Sequence, residues 1–275
     1  MLQKFLTIAC LLLIFNACNN KKPADTSADM TQFAKDSAFQ AAHPSPDSMT
    51  FQPKGSMIQF ETPDGKKGSA YALMAAEPTK NYLFVIQEWW GLNDYIKRTS
   101  DMLFDSLGNT NVLALDMYDG KVATNADQAG EFMGMVTPER GMAIVKGALA
   151  MSGKDAKIAT IGWCFGGGWS LQSSILAGNQ GVGCVMYYGM PVENAKELAP
   201  LKADVLGLFA KKDKWITPEV VSKFETLAKA TGKKVEIHQF DADHAFANPS
   251  QPAFNQQAAG EANMLALNFL KMKLK

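Results

Sequence analysis

From residue 54 to the C-terminus, short apolar runs alternate with stretches of helical spacing. That rhythm leaves a chain few ways to fold, because strands buried on both faces need helices to cover them. Segments 56–61 and 68–75, with a turn at Asp64-Gly65 between them, read as an antiparallel hairpin. The runs 82–86, 112–115, 158–161, 182–188, 205–210 and 235–240 suit buried strands, with helical patterns near 93–107, 137–151, 165–177, 217–230 and 253–272. The expectation is an α/β domain over residues 54–275: a mainly parallel central sheet flanked by helices and preceded by an N-terminal antiparallel hairpin. In such a sheet, functional residues collect on loops at the C-terminal ends of the strands.

Two segments of different texture precede this domain. Lys4, the largely apolar run 5–15 and then Asn16-Ala17-Cys18 read as an export signal, too short to be a permanent membrane span. Residues 1–17 are expected to be removed and Cys18 lipidated, leaving an exported, periplasmic protein that meets the membrane only through its anchor. Residues 18–53, rich in Lys, Asp, Ser, Ala and Pro, read as a flexible tether. Within it, Met30, Phe33, Ala34 and Phe39 have the spacing of one short amphipathic helix resting on the domain, and His43, beside Pro44, reads as a solvated linker residue.

Lys and Arg together number 27, as do Asp and Glu, and this zero balance argues against nucleic acid as a partner. Cys10, Cys18, Cys164 and Cys184 form no close pair, and there are three histidines, so neither a disulfide framework nor a metal site is implied. No organic cofactor is implied either, and a monomer is expected.

The chemistry centres on Ile161-Gly162-Trp163-Cys164-Phe165-Gly166-Gly167, which follows a strand and opens a helix. Glycines on both sides give a sharp turn the room it needs, and the helix N-terminus favours thiolate and offers N–H groups to an oxyanion. Cys164 is therefore the candidate nucleophile. Cys184, inside an apolar strand, reads as structural and is a poor resolving partner for redox chemistry. A thiol nucleophile needs an imidazole and an acid to orient it, in the chain order nucleophile, acid, histidine. His244 follows the 235–240 strand and Asp213 follows 205–210, whereas His238 lies within its strand. Asp241 and Asp243 are near His244 in sequence but are more simply explained as turn residues.

These segments, with Val85-Ile-Gln-Glu-Trp-Trp-Gly-Leu-Asn93, Leu115-Asp-Met-Tyr118, Tyr187-Tyr-Gly189 and His244-Ala-Phe246, resemble the dienelactone hydrolase family of the α/β-hydrolase superfamily. The resemblance runs from about residue 54 to the end. It implies a carboxylic ester or lactone hydrolase with Cys164, Asp213 and His244 as a triad working through an acyl-enzyme. It implies that Glu88 contacts the thiol and accepts its proton, and that the backbone N–H groups of Trp89 and Phe165 form the oxyanion hole. Trp90, Trp215 and Asn248 are read as substrate-binding. The family's carboxylate-binding arginines are not matched: Asn248 stands where one is expected, and the chain's arginines are Arg98 and Arg140. The alternative is a lipoprotein that keeps the fold and binds a ligand without turning it over.

Overall fold

Eight strands form one sheet in the computed structural model, which describes residues 30–275. The expected signal, Cys10 and Cys18 lie outside the described residues. The strands are β1 (Ser56–Glu61), β2 (Lys67–Leu73), β3 (Asn81–Ile86), β4 (Asn111–Leu115), β5 (Lys157–Trp163), β6 (Gly181–Tyr187), β7 (Asp204–Ala210) and β8 (Val235–Phe240). The helices are α1 (Ser37–Ala42), α2 (Asp94–Leu107), α3 (Ala126–Met135), α4 (Pro138–Ser152), α5 (Phe165–Ala177), α6 (Ala195–Leu198), α7 (Pro218–Ala230) and α8 (Gln256–Lys273).

The strand order is β1-β2-β4-β3-β5-β6-β7-β8. β1 and β2 pair antiparallel, β2 joins β4 antiparallel, and every later pairing is parallel. The interior of the sheet is apolar on both faces: Leu83, Phe84, Val85 and Ile86 of β3 and Val112 to Leu115 of β4 have no solvent exposure. Burial of this kind is the main force holding helices to the sheet. Register sets the site. Ile86 pairs with Gly162, Trp163 with Tyr187, Tyr187 with Leu208 and Ala210 with Phe240, so β3, β5, β6, β7 and β8 end at one edge of the molecule.

Side-chain caps mark where the helices begin. Asn93, Thr137, Thr217 and Asn255 each accept a backbone N–H from the first turn of α2, α4, α7 and α8. Helix α3 departs from the expected pattern. Its buried residues are Ala129, Gly130 and Met133, which form a weak apolar stripe, and its start is fixed by the Asn125 side chain.

Within the expected tether, the apolar stretch expected to rest on the domain as one short helix does so in two pieces. A 3₁₀ turn at Met30–Phe33 and then α1, capped by Asp36, pack against the domain with Met30 and Phe39 buried. Hydrophobic burial of these two side chains is the reason this stretch does not behave as a solvated linker. His43, expected to be solvated, is a correction. It is buried rather than solvated, because its Nδ1 donates to the Phe39 carbonyl at 2.7 Å and its ring lies among aromatic neighbours.

Candidate active site

Cys164 sits between β5 and α5 with φ +53°, a left-handed conformation rare for a residue with a Cβ. The glycines make the bend possible. A Cβ on Gly162 would lie 2.0 Å from the Gly166 carbonyl oxygen, and one on Gly166 would lie 2.3 Å from the carbonyl oxygens of Ile86 and Gln87. The turn therefore locks β3, β5 and α5 together while presenting the sulfur. The Cys164 amide donates to the Tyr187 carbonyl at 3.0 Å, and the Phe165 N–H points at the thiol.

His244 and Asp213 arrive from the ends of β8 and β7. Nδ1 of His244 donates to Oδ2 of Asp213 at 2.6 Å, with both side chains essentially sealed from solvent. Oδ1 of Asp213 accepts the backbone N–H groups of Trp215 and Ile216, each at 2.9 Å. The carboxylate is thus fixed by three donors. Burial would raise its pKa, but the His244 charge and these hydrogen bonds outweigh it and hold Asp213 below the ordinary range. Burial would likewise lower the imidazole, yet the charges of Asp213 and Cys164 win and carry His244 up to about 10. The other ring nitrogen, Nε2, has no hydrogen bond of good geometry, although the thiol is near enough for each group to shift the other. Burial pushes the Cys164 thiol up; His244 and the Phe165 N–H oppose that, and Glu88 adds to it.

Glu88 lies two residues beyond β3. Its carboxylate accepts the Tyr188 hydroxyl at 3.2 Å and the Asn248 side-chain amide, while the thiol is an electrostatic neighbour rather than a hydrogen-bond partner. Burial raises its pKa to about 7 against the opposing pull of Asn248, His244 and Tyr188. The Tyr118 hydroxyl donates to the Trp89 carbonyl at 3.1 Å. Tyr118 belongs to the 115–118 segment that carried the resemblance, so that motif ties the turn after β4 to the turn after β3.

The expected substrate-binding residues divide into two groups. Trp90 and Asn248, with Glu88, line an apolar cavity of about 270 Å³ that reaches between α2 and α8. Trp215 lies instead on the thiol side, its ring 5.6 Å from that of His244. Asn248 is fully engaged: its amide serves Glu88, and its oxygen accepts from Ser250 N at 2.9 Å and Oγ at 2.7 Å. Arg140 is tied elsewhere, bridging Asp119 and Asp64 and donating to the Lys67 carbonyl at 2.6 Å. Cys184 is buried in β6 beside the Ser170 hydroxyl, and His238 borders the sheet, paired with Glu236 at 2.6 Å.

Three site residues had no assigned role in the sequence. Tyr188, with φ +35°, places its ring 5.0 Å from His244 and its hydroxyl on Glu88. Phe39 and His43 come from the N-terminal segment, their rings 5.9 and 5.4 Å from that of His244. The apolar spacing of residues 30–39 was the available signal for the pair.

A nucleophile on a strained turn after a central strand, followed along the chain by acid and histidine at later strand ends, is the arrangement of α/β-hydrolases. Residues 69–274 match the model of the dienelactone hydrolase family, and the chain belongs to that family, as a hydrolase of carboxylic esters or lactones. It is 24% identical over 229 residues to carboxymethylenebutenolidase 1 of Cupriavidus pinatubonensis, covering 78% of this chain and 96% of that one. It is 31% identical over 138 residues to the carboxymethylenebutenolidase of a Pseudomonas species, covering 48% and 57% of the two chains. Among solved structures, a dienelactone hydrolase-like promiscuous phosphotriesterase from metagenomic libraries shares the fold at TM-score 0.66 and 18% identity, covering 80% of this chain and 99% of that one. A Pyrococcus furiosus esterase does so at TM-score 0.61 and 15% identity, with 85% and 98% covered.

Proposed function

We propose that Cys164, His244 and Asp213 act as a triad that cleaves a small neutral carboxylic ester or lactone through a cysteinyl acyl-enzyme. The observation that carries this reading is the 2.6 Å His244–Asp213 bond, which leaves Nε2 unpartnered beside a thiol raised on its turn. The neutral substrate is supported by the surroundings: the rings of Phe39, His43, Tyr188 and Trp215 lie against the imidazole, and Arg140 is spent on Asp64 and Asp119.

As substrate enters, the thiol proton passes to the Glu88 carboxylate, which removes the negative charge that opposes thiolate. The thiolate attacks the carbonyl carbon, and the oxyanion is held by the N–H groups of Trp89 and Phe165. Collapse breaks the C–O bond, and the leaving alkoxide takes a proton from the His244 imidazolium, which Asp213 stabilises. Neutral His244 then takes a proton from water, the hydroxide attacks the thioester, the acid leaves as the C–S bond breaks, and the released thiolate recovers its proton from Glu88.

Export and attachment through a lipid on Cys18 belong to the same proposal, supported by Lys4, the apolar run 5–15 and the Asn16-Ala17-Cys18 sequence. For the reaction, rapid quenching with p-nitrophenyl acetate followed by intact-mass measurement should show one acetyl group on Cys164. Cys164→Ala should lose both the adduct and turnover, roughly 1,000-fold or more. Full activity in that variant ends the proposal.

A further inference from the structure

The family match begins at residue 69, so the turn at Met30–Phe33 and helix α1 are additions to the matched domain. They nevertheless reach its centre. The Phe39 ring lies 5.0 Å from Trp89, 5.1 Å from Trp215 and 5.9 Å from His244, edge to face in each case. The His43 ring lies tilted against Phe39 at 4.2 Å and stands 5.4 Å from both His244 and Trp89. With these two rings in place, Cys164 is 2% exposed and His244 3%. The segment therefore forms a wall of the reaction space itself.

Chemistry says which part of a substrate meets that wall. In the mechanism above, His244 must hand its proton to the departing alkoxide oxygen, so the alcohol portion of an ester lies against the imidazole. On that side the imidazole's neighbours are Phe39 and His43. A carbonyl can only accept, so Nδ1 of His43 carries the hydrogen given to Phe39. Burial and the neighbouring His244 charge keep its pKa low, at about 3. The wall is thus apolar, with a single basic nitrogen, Nε2, on the ring.

We propose that Phe39 and His43, supplied by a segment outside the matched family domain, are specificity-determining residues that restrict the alcohol portion of the ester to small groups. This rests on the triad reading above. The segment is held from a distance as well, since a Cβ on Gly130 of α3 would lie 2.2 Å from the Ala34 carbonyl oxygen, and Gln251 donates to the Pro44 carbonyl at 3.1 Å. Gly130→Ala therefore lifts the segment without touching any ring at the site.

The test compares methyl, benzyl and naphthylmethyl acetates on the full exported chain, reading kcat/KM, which reports acylation. Phe39→Ala and Gly130→Ala should each raise the benzyl-to-methyl ratio about tenfold or more. Their response to lengthening the acyl group of methyl esters should stay flat. The same proteins are labelled at Cys164 with iodoacetamide and with a bulky maleimide; the maleimide should react poorly with wild type and gain selectively in both variants. Unchanged ratios in folded variants, or a wild-type thiol open to the maleimide, overturn the proposal. If Phe39→Ala does not fold, Gly130→Ala decides. If no ester is turned over by any form, the triad reading fails, and the labelling ratios still judge the wall.

Discussion

At Glu88, burial and polar partners pull the carboxyl in opposite directions, and burial wins, raising its pKa from 4.5 to about 7. Between those two values the folded chain keeps a proton that the unfolded chain has released. Stability contributed by this group is therefore present below pH 4.5 and is lost as pH rises toward 7. Glu88→Gln keeps a polar group for Tyr188 and Asn248 but cannot ionise. Urea melts should show the variant gaining on wild type as pH rises, by about 3 kcal/mol at pH 8 and by nothing near pH 4. Asp213 titrates in both proteins, so the difference between them isolates Glu88. Activity should move the other way. If the ionised carboxylate is the acceptor for the thiol proton, wild-type kcat/KM rises through about pH 7, and the variant loses that limb and roughly 100-fold in rate. A variant that keeps the limb assigns it to another group.

At the scale of elements, helix α1 is held by a few apolar side chains and by a histidine that cannot be charged in place. His43 falls to about 3 because burial and the His244 charge disfavour its imidazolium, with Asp213 and the Phe39 carbonyl only partly offsetting them. A released segment regains an ordinary imidazole near 6.5, so protons favour release, and packing is lost as pH falls below that value. Hydrogen exchange corrected for intrinsic rates should show α1 protection dropping on the order of 100-fold from pH 7 to pH 4 relative to α5. His43→Phe should abolish the difference, and equal protection of wild-type α1 at both pH values would refute the account. The same element shows how far sequence reading reached: a short helix resting on the domain was expected, its place at the site was not. The apolar spacing of residues 30–39 was visible, but its docking partners are Trp89, Trp215 and α3, all distant in sequence. Helix α3 was hidden for a related reason: its buried face is Ala129, Gly130 and Met133, too small for a clear apolar period. Strands β3 to β7 were legible because burial on both faces writes itself as largely apolar runs, whereas β8, read as a buried strand, is the edge strand and has no buried residue. Cys164, Asp213 and His244 were legible because the elbow, the chain order and the strand ends restrict each to one short loop. Tyr188 was not, since only its left-handed backbone turns it toward Glu88.

For the whole molecule, the proposed attachment can be separated from every other route to a membrane. The formal charge is zero, with 27 basic and 27 acidic residues, so no strong attraction to anionic lipid is expected. Among the described residues no helix is long and apolar enough to cross a bilayer. The proposed lipid on Cys18 would then carry the binding, and hydrocarbon burial is insensitive to ionic strength. In fractionated cells the full chain should stay with membranes through a high-salt wash and leave in detergent. Cys18→Ser should appear in the soluble fraction with unchanged kcat/KM, because Cys18 is none of the residues gathered around His244. Wild-type protein in the soluble fraction, or a serine variant that still sediments with membranes, would remove the lipid from the picture and leave the hydrolase chemistry intact.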